Sequence, residues 1–554
     1  MSERRPQPSH PNLGAVSVPS LLGGRGVVDD YTCRPDRPCA NKACCPKKTL
    51  QCNFGEEACG TSGVSPNEVC WSNCDAKPEC GVNAKVTGQK CSLNVCCGKW
   101  GFCGMTDDFC DKEDHGATGG CQSNCYQPGS SEGTSSQSRI IGYYEAWRAD
   151  STCQGMGIKD IPVTSLTHLF FSFASITPDT YGIAPMVGIP ESLFSQFTNL
   201  KKKNPALKVV IAIGGWTFND PGPTQKVFSD MVSSAQNRKT FIDNLLSFMR
   251  EYAFDGVDFD WEYPGADDRR GIDTDGANFV TFLKELDDAN KKQLVKYIVS
   301  FTAPSSYWYL RYFELKAVDY VDFMNVMTYD VHGVWDGNNP IGKHIYGHTN
   351  LTEVNQAFDL FWRNKVPASK VNMGLSFYGR AFQLEDSSCS SPGCGFKGGA
   401  TKGGCSDESG ILSYREIMAV IDSKKVKPVH DEKADVKYIT WNTDQWVSFD
   451  DAHTFAQKKE LAKKLGLGGY LIWAIDQDDE QSSALQAVIS PKKLGDMGKT
   501  GDSGDWQSSN KHCYITPCDG NCDAGDIKIT DQPCRKGRSK LCCPLSDAPG
   551  PKEC

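Results

Sequence analysis

The sequence lacks several features that would place the protein in a broad class at once. No apolar run approaches the roughly 18 residues that span a bilayer, so a transmembrane helix is excluded. Positive charge is not in excess, because 59 lysine and arginine residues stand against 68 aspartates and glutamates, for a net charge of −9. A mildly acidic surface would not steer nucleic acid or an anionic membrane towards the chain, so we expect neither as a partner.

The first residues also lack the pattern expected of a signal peptide. Residues Met1–Gly26 begin with basic side chains, but Ser17, Pro19 and Ser20 interrupt the apolar stretch that a signal peptide needs. Cysteine, in contrast, is abundant, with 27 in 554 residues. Dense cysteine indicates disulfides and an oxidising compartment, so we expect an extracellular protein and interpret the N-terminus as incomplete. Intracellular residence and unconventional export are the alternatives.

The cysteines mark two copies of one small module. Residues 33–74 and 80–125 contain eight cysteines each, and five of six corresponding intervals between these cysteines are identical. Vicinal Cys-Cys pairs without CxxC pairs favour a disulfide framework over zinc sites. We therefore predict disulfide-rich modules at about 31–75 and 79–126, in which disulfides replace most of a hydrophobic core. Residues 1–30, rich in proline and glycine, are expected to form a disordered tail.

The middle of the chain follows a different pattern. After a Gly/Ser linker at 127–138, eight short apolar runs alternate with segments of helical length. Apolar strands that alternate with helices are typical of a parallel sheet covered on both faces. Residues 139–490 therefore predict an α/β fold, a closed (β/α)8 TIM barrel, with a small α+β insertion between strands 7 and 8 at about 383–450. A linker at 491–510 leads to a cysteine-rich segment at 511–554.

One apolar run carries three carboxylates. Asp258, Asp260 and Glu262 occupy alternate positions of the sequence DGVDFDWEYPG, so their side chains are predicted to share one face of a strand. Phe259 and Trp261 would point the other way, towards covering helices. In a barrel, the three carboxylates would form a column that ends at the C-terminal rim, where such barrels carry active sites.

Carboxylates in such a column favour acid–base chemistry. Alternate residues of a strand lie about 6–7 Å apart, so the three groups cannot all ionise cheaply and must share protons. The raised carboxyl pKa that results is what a general acid needs. The alternatives are a solvated strand, which fits poorly with the apolar flanks, and a hard-cation site, which usually needs further oxygen ligands.

DGVDFDWEYPG resembles the DxxDxDxE signature of glycoside hydrolase family 18, the chitinases. Other runs resemble motifs of that family in the same order, namely AIGGW at 212–216, MTYD at 327–330, SFYGRAF at 376–382 and the tryptophan of LIWAID. The resemblance covers about residues 139–490, including the insertion. It departs from the family at Ala212, where the family motif has a serine whose hydroxyl helps to hold charge on the innermost aspartate.

The resemblance implies hydrolysis of β-1,4-linked N-acetylglucosamine polymers by a retaining, substrate-assisted mechanism, with no cofactor and no metal. Glu262 would protonate the glycosidic oxygen, Asp260 would orient the 2-acetamido group of the sugar, and Asp258 would share its proton with Asp260. Tyr329 would hydrogen-bond the acetamide oxygen, and Trp473 would form the floor beneath the sugar. Further candidates for substrate contact are Trp216, Asp330, Tyr378 and Arg380. For the aromatic candidates, ordinary barrel packing is the alternative.

Residues 80–125 resemble a hevein-type chitin-binding module with its eight cysteines in register. The disulfide cysteines implied are Cys80, Cys91, Cys96, Cys97, Cys103, Cys110, Cys121 and Cys125. Trp100, Phe102 and Phe109 occupy the aromatic positions of that family, where exposed rings stack on sugar units. A small core built from the same rings is the alternative. The copy at 31–75 keeps the cysteines without these aromatics, so we interpret it as a degenerate module.

We therefore expect a secreted modular chitinase of fungal type, whose partners are chitin and chitooligosaccharides. Two alternatives are kept: a non-hydrolytic lectin or effector that binds chitin fragments, and the chitinase subunit of a killer-toxin-like system with a toxin partner chain.

The segment 511–554 resembles the C-terminal tail of some fungal multidomain chitinases. Two disulfides of open connectivity are expected in the barrel, among Cys153, Cys389, Cys394 and Cys405.

Overall fold

The described part of the chain comprises two small cysteine modules, a large barrel and a C-terminal sheet. The structure, a computed structural model, describes residues 33, 34, 39, 42–60, 69–114, 119–128, 137–149, 156–294, 296–338 and 341–489. Near the C-terminus it describes the backbone of the antiparallel strands Tyr514–Ile515, Asp526–Cys534 and Gly537–Pro544. The expected tail at 1–30, the linker at 491–510 and the cysteine pairing of the last segment lie outside the described residues. The described helices include none that is long and apolar enough to cross a membrane.

Within residues 137–489, as far as they are described, eight parallel strands close a barrel. In chain order they are β1 (Arg139–Glu145), β2 (His168–Ile176), β3 (Lys208–Gly214), β4 (Gly256–Asp260), β5 (Ile298–Pro304), β6 (Phe323–Met327), β7 (Val371–Ser376) and β8 (Gly469–Trp473). Each strand pairs in parallel with the next, and β8 pairs with β1. A short strand, Ile183–Pro185, adds to β2 in the antiparallel direction. The predicted (β/α)8 barrel is confirmed.

Helices follow most of the strands, most of them against the barrel and one in the insertion between β7 and β8. They are α1 (Ser192–Thr198), α2 (Val227–Ser233), α3 (Ala235–Glu251), α4 (Asp275–Asn290), α5 (Tyr307–Leu310), α6 (Leu351–Arg363), α7 (Tyr414–Lys424), α8 (Ala452–Lys464) and α9 (Ser483–Ile489). Local sequence sets several of their starts. The Ser234 hydroxyl accepts a hydrogen bond from the first turn of α3, and the Asp451 carboxylate does the same for α8. Such caps contribute about 1 kcal/mol each.

The aromatic layer between strands and helices fixes the orientation of β4. Trp261 stacks on Phe228 of α2 with ring centroids 5.3 Å apart. Phe259 lies edge-on to Phe282 of α4 at 5.2 Å and close to Phe241 of α3 at 6.2 Å. Because these rings occupy the helix side of β4, the alternate positions of the strand face the barrel interior. The predicted facing of the run is confirmed.

The insertion between β7 and β8 is an antiparallel sheet that carries α7. Its described strands are Tyr378–Leu384, Phe396–Gly399, Ile411–Ser413, Val429–Asp431, Val436–Trp441 and Gln445–Phe449. The α+β character is as predicted, but the sheet begins directly after β7 rather than at about residue 383. Cys389 and Cys394 form a disulfide here and Cys405 is also disulfide-bonded, whereas Cys153 lies outside the described residues.

The two cysteine modules share one disulfide pattern. In each of them, among the described cysteines, the first pairs with the fourth, the second with the fifth, the third with the sixth and the seventh with the eighth. The pairs are Cys33–Cys45, Cys39–Cys52, Cys44–Cys59 and Cys70–Cys74 in the first module, and Cys80–Cys97, Cys91–Cys103, Cys96–Cys110 and Cys121–Cys125 in the second. Among the described residues of the two modules, regular structure is limited to short elements, which include Glu56–Cys59, Cys96–Cys97, Cys103–Gly104 and Asp107–Cys110. The predicted disulfide framework is confirmed.

Candidate active site

Strand β4 carries the carboxylates up the barrel towards an open cavity. Asp258 is fully buried in the strand, Asp260 is its last residue, and Glu262 follows its end. Asp260 and Glu262 line a cavity of about 1020 Å³ at the C-terminal ends of the strands. Asp258 lies one layer deeper. The column therefore leads from the barrel interior to a space that a ligand can enter.

Asp258 is held by three hydrogen-bond donors, one each from β5, β1 and β6. Its carboxylate accepts from the Ser300 hydroxyl at 2.6 Å, the Tyr143 hydroxyl at 2.8 Å and the Asn325 amide at 3.1 Å. Burial raises the pKa of Asp258 to about 6, although the three donors oppose that rise. A carboxyl group with such a pKa can hold or release a proton near neutral pH.

Asp260 and Glu262 are electrostatically coupled above Asp258. Burial and then the charge of Glu262 raise the pKa of Asp260 well above its ordinary value, although the Thr302 hydroxyl donates to its carboxylate. Burial raises the pKa of Glu262 to about 7, and the positive charge of Arg269 moderates this rise. The pair therefore retains a proton at a pH at which an isolated carboxyl group would have lost it. This suits Glu262 to protonate a leaving oxygen.

Arg269 positions the end of the column. Its Nε donates to the Glu262 carbonyl oxygen at 2.9 Å, and its Nη1 donates to Asp220 at 2.9 Å. The guanidinium lies 4.0 Å from the centre of the Trp216 ring. This half-buried ring lines the cavity, so Arg269 couples one wall of the cavity to the backbone of Glu262.

Asp258 keeps its hydrogen-bond donors although Ala212 stands where the family motif has a serine. Ala212 of β3 is fully buried and lies in register with Asp258 of β4. Because Ser300 and Tyr143 already donate to the two oxygens of Asp258, a hydroxyl at position 212 is not needed to satisfy this carboxylate.

Trp473 and Tyr329 bound the cavity beside the carboxylates. The half-buried Trp473 ring stacks on Phe173 with centroids 5.5 Å apart and lies 5.7 Å from Tyr143. Tyr329 is buried, with its ring 6.1 Å from that of Tyr378. Burial, followed by the charge of Asp260, raises the pKa of the Tyr329 hydroxyl well above its usual range, so it stays a hydrogen-bond donor.

Asp330 joins the remaining predicted residues into one cluster. Its carboxylate accepts from the Tyr378 hydroxyl at 2.7 Å and from two nitrogens of Arg380 at 2.8 and 2.6 Å. Burial alone would raise the pKa of Asp330, but the charge and hydrogen bonds of Arg380 hold it well below its usual range. All three side chains line the same cavity as Glu262.

The donors to the column were not among the residues predicted from the sequence, although one signal for them is present there. Ser300 and Thr302 alternate along β5 as Asp258 and Asp260 do along β4, and Asp258 lies in register with Ser300. Polar residues at alternate positions of an otherwise apolar run therefore indicate that these two side chains face the barrel interior. The contribution of Tyr143 carries no such local mark.

For two of the three aromatics in the second module, the expectation of exposed rings is wrong. Phe102 and Phe109 are only 3% and 4% exposed. Phe102 lies edge-on to Phe54 of the first module at 5.7 Å. The ring of Phe109 lies so close to Gly104 that a Cβ there would be 2.2 Å from it. These rings form the small core that was the alternative, since the disulfides alone leave the interior unfilled.

Trp100 occupies the contact between the two modules. Its half-buried ring packs against the cluster of Cys33, Cys39 and Cys52 in the first module. The Lys99 ammonium group lies 5.0 Å from the centre of the ring. The aromatic side of the second module thus faces the first module, in place of the open surface that was expected.

Comparisons with known proteins agree with this geometry. Residues 139–478 match the Glycosyl hydrolases family 18, and residues 79–125 match the Chitin recognition protein family. The chain is 33% identical over 468 residues to the secreted chitinase LysM12 of Penicillium expansum, covering 77% of this chain and 30% of that protein. It is 34% identical over 429 residues to the killer toxin subunits alpha/beta of Kluyveromyces lactis, covering 75% of this chain and 36% of that protein. The chain thus spans about a third of these relatives.

The fold has a solved counterpart in the Group IV chitinase of Ostrinia furnacalis. That structure superposes with a TM-score of 0.56 and 28% identity, covering 63% of this chain and 97% of the other. The family match spans β1 to β8 and includes the carboxylate column. The chain belongs to glycoside hydrolase family 18.

Proposed function

We propose that this chain is a chitinase that hydrolyses β-1,4-linked N-acetylglucosamine polymers with retention of configuration. The observation that carries the proposal is the column itself, with Glu262 at the cavity, Asp260 coupled to it, and Asp258 held beneath them. Buried carboxyl groups with raised pKa values next to an open cavity are a recurring arrangement of acid–base catalysts. The family match and the chitinases among the relatives support the same activity.

In the proposed reaction, the protonated Glu262 carboxyl group donates its proton to the glycosidic oxygen as the bond to the anomeric carbon breaks. The carbonyl oxygen of the sugar's own 2-acetamido group attacks that carbon and forms an oxazolinium intermediate. The Asp260 carboxylate accepts a hydrogen bond from the acetamide N–H, and the Tyr329 hydroxyl donates to the acetamide oxygen. Water then attacks the anomeric carbon while the Glu262 carboxylate takes up its proton, which restores the starting state.

The neighbouring residues hold these groups in their reactive states. Thr302 and Asp258 flank Asp260, so a proton shared within the column controls the charge that Asp260 presents to the acetamide. The Trp473 ring forms an apolar floor for the sugar that carries the acetamide. Asp330, paired with Arg380 and Tyr378, supplies a charged wall for sugar hydroxyls.

The second cysteine module is proposed to hold the enzyme on chitin, outside the cell. Its match to the chitin recognition family supports the ligand, and the disulfides of both modules support an oxidising compartment. A fungal relative, the secreted chitinase LysM12 of Penicillium expansum, agrees with this location.

The test is to incubate the purified chain with colloidal chitin and to record the released oligosaccharides and their anomeric form by NMR. We expect soluble N-acetylglucosamine oligomers that first appear as the β-anomer. Binding without release would favour the lectin alternative, and an initial α-anomer would overturn the mechanism.

A second candidate role is favoured by one relative. The killer toxin subunits of Kluyveromyces lactis match three quarters of this chain, so the same hydrolase can be proposed to act beside a toxic partner chain. Purification from the native source distinguishes the two roles. A second chain that co-purifies and is toxic to fungal cells supports the toxin role, and an active chitinase without such a chain opposes it.

A further inference from the structure

The cavity at the catalytic carboxylates extends beyond the barrel. Its lining continues past Glu262 to the junction between the barrel and the second cysteine module, where it includes Met105 and Thr106 of the module and Tyr307 and Trp308 of the barrel. Its volume of about 1020 Å³ reaches the upper end of the ~300–1,000 Å³ typical of pockets for drug-sized ligands. The space is therefore suited to a longer ligand that runs from one domain to the other.

The junction is held together by buried polar contacts. Arg363, at the end of α6, is 2% exposed. Its guanidinium donates to the Asn94 carbonyl oxygen at 3.3 Å and to the Gln127 side chain at 3.0 Å, and it lies 5.1 Å from the centre of the Tyr126 ring. A buried guanidinium needs well-placed acceptors, and here Asn94 of the module and Gln127 at the start of the linker supply two of them.

Asn364 and an apolar patch add to the same contact. The Asn364 amide donates to the Leu93 carbonyl oxygen at 2.9 Å and accepts from the Asn94 amide at 3.0 Å. Leu93 and Val95 of the module belong to the buried cluster that also contains Phe361 of α6. The module is therefore seated on the barrel by both polar and apolar contacts, as a fixed wall of the cavity.

The wall of this junction has the mixed chemistry that an N-acetylglucosamine unit requires. Trp308 and Met105 are half-buried and offer apolar surface, while Thr106 and the exposed Asp107 offer polar groups. The Gln127 amide donates to the Met105 carbonyl oxygen at 2.9 Å and to Asp107 at 3.2 Å, which fixes this loop. Sugar rings present apolar faces and a rim of hydroxyl and acetamide groups to such surfaces.

We propose that the junction between the second cysteine module and the barrel binds further sugar units of the same chitin chain that the carboxylates cleave. The inference rests on the proposed chitinase function and deepens it. The module then acts as part of the substrate cleft. Chains long enough to reach the module gain binding there, whereas short chains that occupy only the barrel do not.

The test compares the kcat/KM of the full chain for tri- and hexa-N-acetylchitooligosaccharides. Thr106→Trp fills the junction from the module side, and Trp308→Ala removes the apolar surface from the barrel side. We expect each variant to lower kcat/KM for the hexamer about tenfold, the effect of losing one favourable contact, and to leave the trimer unchanged. Because Trp308 is part of the barrel, its variant does not depend on the folding of the module.

A variant that weakens the contact between the module and the barrel tests the same inference without changing the cavity wall. Asn364→Ala removes the amide that joins α6 to the module and is expected to reduce the preference for the hexamer. Asn244→Ala is the matched control, since the Asn244 amide also donates to backbone carbonyl oxygens, those of Thr180 and Tyr181, within the barrel. The control is expected to keep the hexamer preference of the parent.

The outcomes separate the two proposals. If the parent chain cuts neither oligomer, the proposed function fails. If the parent cuts both, and the Thr106 and Trp308 variants change neither or lower both equally, the junction does not bind the substrate chain and the inference is overturned.

Discussion

The barrel and the second cysteine module differ in what fills their interiors. The barrel has a thick aromatic layer between strands and helices, so its inner face is free to hold charged groups such as Asp258 and Asp260 beneath a cavity. The module has disulfides and few apolar side chains, and Phe102 and Phe109 are used to fill its core. A large domain can therefore place function inside, whereas a small one must place it on the surface that is left.

This difference predicts where a ligand meets each region. In the barrel, the buried carboxyl groups stay accessible because the C-terminal ends of the strands open into the cavity. In the module, the aromatic side is covered by the first module, and the loop of Met105 and Thr106 faces the cavity instead.

The largest effect is expected from Glu262→Gln in the barrel, and the same chemical change in the module is its control. Glu262→Gln removes the proton donor and is expected to lower kcat on soluble chitooligosaccharides by roughly 10²- to 10⁴-fold, with binding retained. Glu79→Gln is the matched change in the module, where the Glu79 carboxylate accepts from the Cys103 backbone at 3.1 Å, and should leave kcat unchanged. Initial rates and calorimetric binding measure both, and near-normal turnover by Glu262→Gln would contradict the assignment.

The pH dependence probes the barrel side alone. Since burial raises the pKa of Glu262 to about 7 and catalysis needs its protonated form, kcat/KM should fall about tenfold per pH unit above that value. On the acid side kcat/KM should fall as well, because Asp260, whose pKa is also raised, must be ionised to accept the acetamide N–H. Rates on a short soluble oligomer, followed from pH 4 to about pH 10, measure both limbs. Thermal unfolding over the same range serves as the control, and a rate that stays constant to the alkaline end would show that Glu262 is not the acid.

A pair of aromatic truncations separates packing from substrate contact. Phe109→Ala removes a core ring, and a loss of roughly 3–5 kcal/mol in the stability of the module is expected, with little change in kcat on short oligomers. Trp473→Ala should do the reverse, lowering kcat/KM while hydrogen exchange in residues 80–125 stays as in the parent. Hydrogen exchange and kinetics are measured on both variants. If each variant changed both readouts equally, the distinction between a core ring and a substrate-contact ring would be wrong.

The smallest effect is expected at Trp100. Because its ring packs against the first module, Trp100→Ala is expected to change binding to insoluble chitin by less than about threefold, and to loosen the contact between the modules. Pull-down on chitin beads, together with hydrogen exchange at residues 42–60, measures this. A large loss of binding without a change in exchange would show that the ring stacks on sugar.

Much of the barrel site was predictable because its information is local. Alternation along β4 is enough to place Asp258, Asp260 and Glu262 on one face, and the same rule would have found Ser300 and Thr302 on β5. Tyr143 and Asn325 were not predictable in this way, since their contact with Asp258 joins strands 115 and 67 residues away in the chain.

The sequence by itself determined the repeated cysteine frame, the order of the barrel strands and the carboxylate column, because each depends on spacing within a short segment. Only the tertiary structure decided which aromatics are buried and how the module meets the barrel. The Asn94–Asn364 contact joins residues 270 positions apart. Such contacts depend on how separately folded units pack against one another, and no local periodicity encodes that.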